Sequence, residues 1–353
     1  MSLKTLSASE ALANLGQFDA IIDARTPAEY AQDRVPGAIN WPSLEDEQRI
    51  AVGTLYKQVS PFEAKKRGAA LVARNVAAHI ERELLDQPKS WKPLIYCWRG
   101  GNRSGAMATI FSAIGFHITL LEGGYKAYRQ AVLAELPVLA QRLDFRVVCG
   151  PTGVGKTRFL HALARAGAQV LDLEALAQHR SSVLGLLPGQ SQPSQRLFDS
   201  RLWSALRSFD PSQPVYVEAE SKRVGNVAIE ATLMDRMRTS PCLTLALDMP
   251  QRVTLLMEDY AQFSQNVELF CERLALLTVL RGRETVMSWQ AQALAGDMRG
   301  AVQALLDQHY DPRYEDSMRR HFSGYGTAKV WTLTEASRSD LDALARTVLV
   351  HKG

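Results

Sequence analysis

The chain has 353 residues, of which 46% are hydrophobic and 22% charged, and its formal net charge is +4. This is the composition of a folded globular protein longer than a single core usually serves, and it excludes a disordered or polybasic chain. Residues 1–140 carry 16 basic and 14 acidic side chains and the remainder 25 and 23, so a nucleic-acid site must be a local patch. No run of about 18 apolar residues occurs and the first ten residues are largely polar, which predicts neither a membrane span nor a secretory leader. The four cysteines, Cys97, Cys149, Cys242 and Cys271, are far apart and form no C-x-x-C. That argues against zinc and a disulfide framework, and predicts a reducing, cytoplasmic setting.

Ala20-Ile21-Ile22-Asp23 reads as a short buried strand, and Thr26-Pro27 as a helix start with proline in the first turn. Val35-Pro36-Gly37 is a turn before a second strand at 38–40. Residues 44–90 have helical periodicity. Within them Lys57, Lys65, Lys66, Arg67 and Arg74 outweigh Glu63, with Trp41, Tyr56 and Phe62 nearby. The reading is either a solvated charged face or a face for RNA phosphates and bases.

Leu94-Ile95-Tyr96 is a buried strand running into Cys97-Trp98-Arg99-Gly100-Gly101-Asn102-Arg103-Ser104, after which a helical pattern begins. A thiol at a strand end, beside a glycine loop and a helix N-terminus, meets backbone N–H groups that favour thiolate. Arg99 and Arg103 add positive charge, so Cys97 is the candidate nucleophile and the loop a candidate anion site. His117-Ile118-Thr119-Leu120-Leu121 is a further strand, and Glu122-Gly123-Gly124-Tyr125 a turn into a helix. Asp23 and Arg25 read as an ion pair bracing the loop. The same loop also satisfies the C-x5-R spacing of cysteine-dependent phosphatases, in which an arginine grips phosphate and a carboxylic acid, here Asp23 or Glu122, serves the leaving group.

Pro137 is expected to break the helix that leaves this region, so that residues 1–135 form one domain, 136–143 a linker and 144–353 a second domain. Phe145-Arg146-Val147-Val148-Cys149 is a strand, followed by Gly150-Pro151-Thr152-Gly153-Val154-Gly155-Lys156-Thr157 and a helix. G-x-x-x-x-G-K-T in that context is a P-loop. The backbone at Gly150, Gly153, Val154 and Gly155 cradles phosphate, Lys156 reaches the terminal phosphates and Thr157 is placed for Mg²⁺. Residues 181–195 are rich in Ser, Gly, Pro and Gln and predict a long loop. Val215-Tyr216-Val217-Glu218-Ala219-Glu220 is a strand ending in acids where P-loop proteins carry a second Mg²⁺ motif; Glu218 is the candidate residue, and the absence of the usual Asp weakens a claim of nucleotide hydrolysis. Residues 251–321 are helical, with a basic, aromatic cluster around His309, Arg313, Arg319 and Arg320 that reads either as a solvated helix end or as a second patch for RNA.

Ile22-Asp23-Ala24-Arg25, Pro27, Glu29-Tyr30, Pro36-Gly37-Ala38-Ile39-Asn40, the Cys97 loop and Leu121-Glu122-Gly123-Gly124-Tyr125 resemble the successive signatures of a rhodanese domain. Joined to the P-loop half, and with Gln192-Pro193-Ser194-Gln195 and Val217-Glu218-Ala219-Glu220-Ser221, the chain resembles the tRNA 2-selenouridine synthase family. The resemblance implies an α/β fold: a rhodanese-like parallel-sheet domain, then a P-loop domain with a helical insert. It also implies conversion of 2-thiouridine to 2-selenouridine at the tRNA wobble position with selenophosphate, through an S-geranyl intermediate made from geranyl diphosphate. Cys97, Arg99 and Arg103 would serve the chalcogen step. Lys57, Lys65, Lys66, Arg67, Arg313, Arg319 and Arg320 would meet tRNA. A selenophosphate-producing enzyme is the implied partner. The alternatives are a cysteine-dependent phosphatase or sulfurtransferase with a nucleotide-regulated P-loop domain, and a non-catalytic P-loop sensor.

Overall fold

A computed structural model describes residues 3–180 and 191–350, so most of the predicted loop at 181–195 lies outside the described residues. The chain forms two compact units, one of Met1–Leu136 with Ser194–Ser204, the other of Pro137–Pro193 with Ala205–Gly353.

The first unit is built on five parallel strands, β1 (Lys4–Leu6), β2 (Ala20–Asp23), β3 (Ala38–Asn40), β4 (Pro93–Tyr96) and β5 (Thr119–Leu121), in the order β1-β5-β4-β2-β3. Every residue of β4 is buried, as expected of a central strand covered on both faces. Ile22 and Ile95 pack with Trp41, Trp91, Met107 and Phe111 in the core. Trp41 therefore is not available to RNA: it is buried and stacked on His79 and Trp91. Between β3 and β4 the chain makes a helical hairpin, Asp46–Gln58 and Pro61–His79. Pro61 opens the second helix at a position where its missing N–H costs nothing.

The second unit also has five parallel strands around its phosphate loop: β6 (Phe145–Cys149), β7 (Gln169–Leu171), β8 (Val215–Glu218), β11 (Cys242–Ala246) and β12 (Lys329–Thr332), in the order β12-β11-β6-β8-β7. A small antiparallel pair, β9 (Arg223–Val224) and β10 (Val227–Ala228), follows β8. Val148, Phe159, Leu163, Leu245 and Leu341 belong to its core. Helices between β11 and β12 gather a core of their own around Phe270, Leu274, Trp289 and Leu305, which is the helical insert.

Pro137 does not break the helix, contrary to expectation: one helix runs Gly124–Arg142 with Pro137 inside it. The carbonyl that loses its partner belongs to Leu133, an exposed residue where water can satisfy it. Cys149 is a buried core residue, as its place in the strand implies.

Candidate active sites

Cys97 follows β4 directly and is 4% exposed. Its loop is clamped from below. The N–H groups of Tyr125 and Lys126 donate to the carbonyls of Cys97 (2.8 Å) and Trp98 (3.0 Å), so the helix Gly124–Arg142 begins on the backbone of the cysteine loop. This approach requires glycine: at Gly124, with φ +58, a Cβ would stand 2.2 Å from the Cys97 carbonyl oxygen. On the other side the helix Asn102–Ile114 starts, and the Ser104 hydroxyl donates to Cys97 Sγ at 3.1 Å. Burial opposes a charge on this sulfur. The Ser104 hydroxyl, the backbone N–H groups of Ser104 and Gly101 and the field of Arg103 outweigh it, and the thiol pKa falls below its ordinary value.

The two arginines beside the cysteine are placed differently. Arg103 makes a two-pronged contact with Glu29, at 2.6 and 3.3 Å, and still acts on the sulfur. Arg99 is exposed. Asp23 and Arg25 form the bracing pair that the sequence suggests: both are buried, 2.6 Å apart, and Asp23 also accepts from Tyr96 OH at 2.8 Å. A carboxylate so engaged cannot serve a leaving group, and Glu122 is exposed.

The P-loop site stands at the carboxyl end of β6, beside β8, where ligands sit in open parallel sheets. Gly150, Gly153 and Gly155 have φ of +145, +83 and +87. At Gly150 a Cβ would meet the Leu245 carbonyl oxygen at 2.8 Å, so only glycine lets the turn lie this close to β11. Val154 turns its N–H to the Pro151 carbonyl (3.2 Å) and its side chain into the core. Lys156 opens the helix Lys156–Arg165, donates to Gly150 O at 2.8 Å and lies 3.5 Å from Glu218. Thr157 Oγ1 lies 3.1 Å from Glu218 and 3.4 Å from Glu174. Glu174, Glu218 and Glu220 each offer an oxygen, all within 4.8 Å of one another, a hard-donor set of the kind that suits Mg²⁺.

Around this loop is a cleft of about 690 Å³ lined by Lys156, Glu218, Glu220, Arg180, Arg313 and Tyr314 among others. Tyr314 OH accepts from the Gly150 N–H at 2.6 Å. Arg252 is buried and donates through two nitrogens to the Thr152 carbonyl (2.9 and 2.7 Å) and through two to the Asp311 carboxylate (2.8 and 2.6 Å). His309 is buried too. Its Nδ1 accepts from Arg281 at 2.8 Å, and burial, with Arg281 and Arg313 beside it, pushes its pKa down to about 4. It therefore stays neutral at physiological pH with the proton on Nε2. Next to the cleft is a narrow apolar pocket of about 40 Å³, whose walls include Met257, Phe263, Met298 and Leu306. Thr152, Leu256, Tyr260 and Tyr310 line both spaces.

Two family descriptions match the two halves of the chain, a rhodanese-like domain over residues 7–131 and a tRNA 2-selenouridine synthase AAA domain over residues 143–275. Whole-length relatives agree. A tRNA 2-selenouridine synthase of Nitrosomonas europaea is 33% identical over 84% of this chain and 78% of its own length. One of Bdellovibrio bacteriovorus is 31% identical over 91% of this chain and 95% of its own. The chain belongs to the tRNA 2-selenouridine synthase family. A third relative of that name, from Alcanivorax borkumensis, is 32% identical over 85% of this chain and 90% of its own.

The residues singled out in the sequence fall into four places. The charge of Arg103 acts on Cys97 from its place on Glu29, and Lys156, Thr157 and Glu218 meet. Lys57, Lys65, Lys66 and Arg67 lie exposed on the helical hairpin. Arg313 lines the P-loop cleft, whereas Arg319 and Arg320 are exposed and paired one helical turn back with Glu315 (2.7 Å) and Asp316 (2.8 Å). Sequence reasoning named Ser104 and Glu29 only as parts of signatures and missed their contacts with Cys97 and Arg103; it also missed Arg252 and the inward turn of His309 and Tyr314. Ser104 had a visible signal, its place directly after the arginine of C-x5-R. Arg252 had none, because a lone arginine in a helical pattern reads as surface.

Proposed function

We propose that this synthase makes 2-selenouridine from 2-thiouridine at the tRNA wobble position in two separable steps. In the first, the thiocarbonyl sulfur attacks C1 of geranyl diphosphate; the C–S bond forms as the C–O bond breaks, and diphosphate leaves with the electron pair. In the second, the selenium of selenophosphate bonds to C2 as the C2–S bond breaks and geranylthiol departs with a proton; water then cleaves the Se–P bond and phosphate leaves. Alkylation suits the chemistry, since a neutral thiol leaves more readily than the sulfur of a thiocarbonyl. Cys97 serves the second step, in which geranylthiol is displaced, as a sulfur held towards thiolate by Ser104, the loop N–H groups and Arg103. A separate enzyme that makes selenophosphate is the implied supplier.

The observation that carries the first step is that the P-loop cleft and an apolar pocket lie side by side and share Thr152, Leu256, Tyr260 and Tyr310 in their walls, which suits a ligand with a diphosphate head and a hydrocarbon tail. The pocket is narrower than a ten-carbon chain, and Met257 and Met298 are side chains that can move to widen it. Lys156 neutralises the departing diphosphate, and the loop N–H groups hold it. Thr157, Glu174, Glu218 and Glu220 are the residues that would hold Mg²⁺, which supplies further charge neutralisation at the phosphates. Nucleoside mass spectrometry tests the scheme. Lys156→Ala should lose geranylation and still selenate tRNA supplied already geranylated; Cys97→Ser should accumulate geranylated tRNA. Normal geranylation by Lys156→Ala, or a requirement for ATP hydrolysis, would overturn it.

A further inference from the structure

The helical hairpin between β3 and β4 is an unusual expenditure of chain. Of the thirteen residues of Asp46–Gln58 none is buried. The hairpin's distal half buries almost nothing either: from residue 50 to residue 70 the one buried side chain is Ala64. Yet its turn carries large apolar groups facing outward, with Tyr56 56%, Val59 68% and Phe62 66% exposed. A cluster of exposed apolar side chains on a solvated element marks a docking surface.

Charge selects the partner. Residues 48–79 hold six basic side chains and one acidic one, in a chain whose halves are otherwise close to neutral. Glu63 is used up by Lys66 at 2.7 Å, and Lys66 Nζ in turn lies 5.0 Å from the centre of the Phe62 ring. Lys57, Lys65 and Arg67 are exposed and make no ion pair among the described residues. Flat rings interleaved with unpaired cations are what unpaired RNA needs: the rings stack on splayed bases and the cations meet phosphates. A wobble uridine lies in such a loop.

We infer that the tip of this hairpin docks the single-stranded loop of the tRNA, with Tyr56 and Phe62 against bases and Lys57, Lys65 and Arg67 on phosphates. The inference rests on the tRNA reading above and adds the element that performs it. All five side chains are exposed, so removing them leaves the core intact.

The test compares binding of the substrate tRNA by the wild-type chain and three variants, over several salt concentrations. Lys57→Ala/Lys65→Ala/Arg67→Ala should weaken binding and reduce the slope of log affinity against log salt by about 2. Tyr56→Ala/Phe62→Ala should weaken it roughly five- to a hundredfold with the slope unchanged. Phe62→Leu, which keeps an apolar group without a flat face, should also lose affinity. Unfolding midpoints and the alkylation rate of Cys97 should match wild type in all three. Wild-type affinity in the variants overturns the hairpin assignment, and if those variants instead lose self-association or binding to anionic vesicles, the tip serves a protein or a membrane. A wild-type chain that binds no tRNA overturns the tRNA reading itself.

Discussion

Ser104 acts on the sulfur of Cys97 twice, through its hydroxyl at 3.1 Å and through its backbone N–H. Only the first can be removed by substitution. In Ser104→Ala, burial loses one of its opponents and the thiol pKa rises; in wild type it lies below the ordinary thiol value. The rate of Cys97 alkylation against pH should therefore rise at lower pH in wild type than in Ser104→Ala, with equal plateaus at high pH where both are thiolate. Coinciding profiles would mean that the N–H groups and Arg103 suffice. At this scale the sequence was readable where chemistry is local. The placement of Cys97, Arg103, Lys156 and Thr157 follows from loop and strand order, because each lies inside the motif that announces it. Glu29 lies 74 residues from Arg103 and Tyr314 lies 164 from Gly150, and no periodicity carries such pairings.

Among the elements, the phosphate loop depends on the helix Asp311–His321, which supplies Asp311 and Tyr314. Arg252 joins the two, its guanidinium buried between the Thr152 carbonyl and Asp311. Arg252→Ala leaves a partly buried carboxylate without its counter-charge and a loop carbonyl without donors. It should destabilise the second unit by about 3 kcal/mol, read as a lowered denaturation midpoint, and weaken phosphate-ligand binding further than the loss of stability accounts for. Retained stability would show that Asp311 finds another partner. The strands that lead into both sites were legible, since each is a short apolar run bounded by glycine or charge; their order in the sheets, β1-β5-β4-β2-β3 and β12-β11-β6-β8-β7, was not, because no local pattern names a strand's neighbours. The run of helix Gly124–Arg142 through Pro137 was not legible either, because proline normally stops a helix and here the carbonyl it leaves without a partner is one that water reaches.

For the whole molecule, the two family halves are not simply sequential. Residues 194–204 pack with the first unit, where Trp203 is buried, donates to Glu135 at 2.9 Å and meets Tyr128 edge-on, while Arg129 pairs with Asp199. An amphipathic pattern reveals that a helix has an apolar face but not which core receives it, so a split at 136–143 was the natural reading of the sequence alone. A fragment of residues 1–136 should consequently expose the face around Tyr128 and unfold at lower denaturant than the same fragment with a peptide of residues 193–207 added. If the peptide has no effect, the segment is dispensable to that unit. Synthesis on the ribosome gives this arrangement a timing. The first unit is complete only when roughly 70 further residues have been made, several seconds at about 5–20 residues per second. Through that interval Cys97 belongs to an unfinished domain, and the phosphate loop leaves the tunnel before that domain is complete.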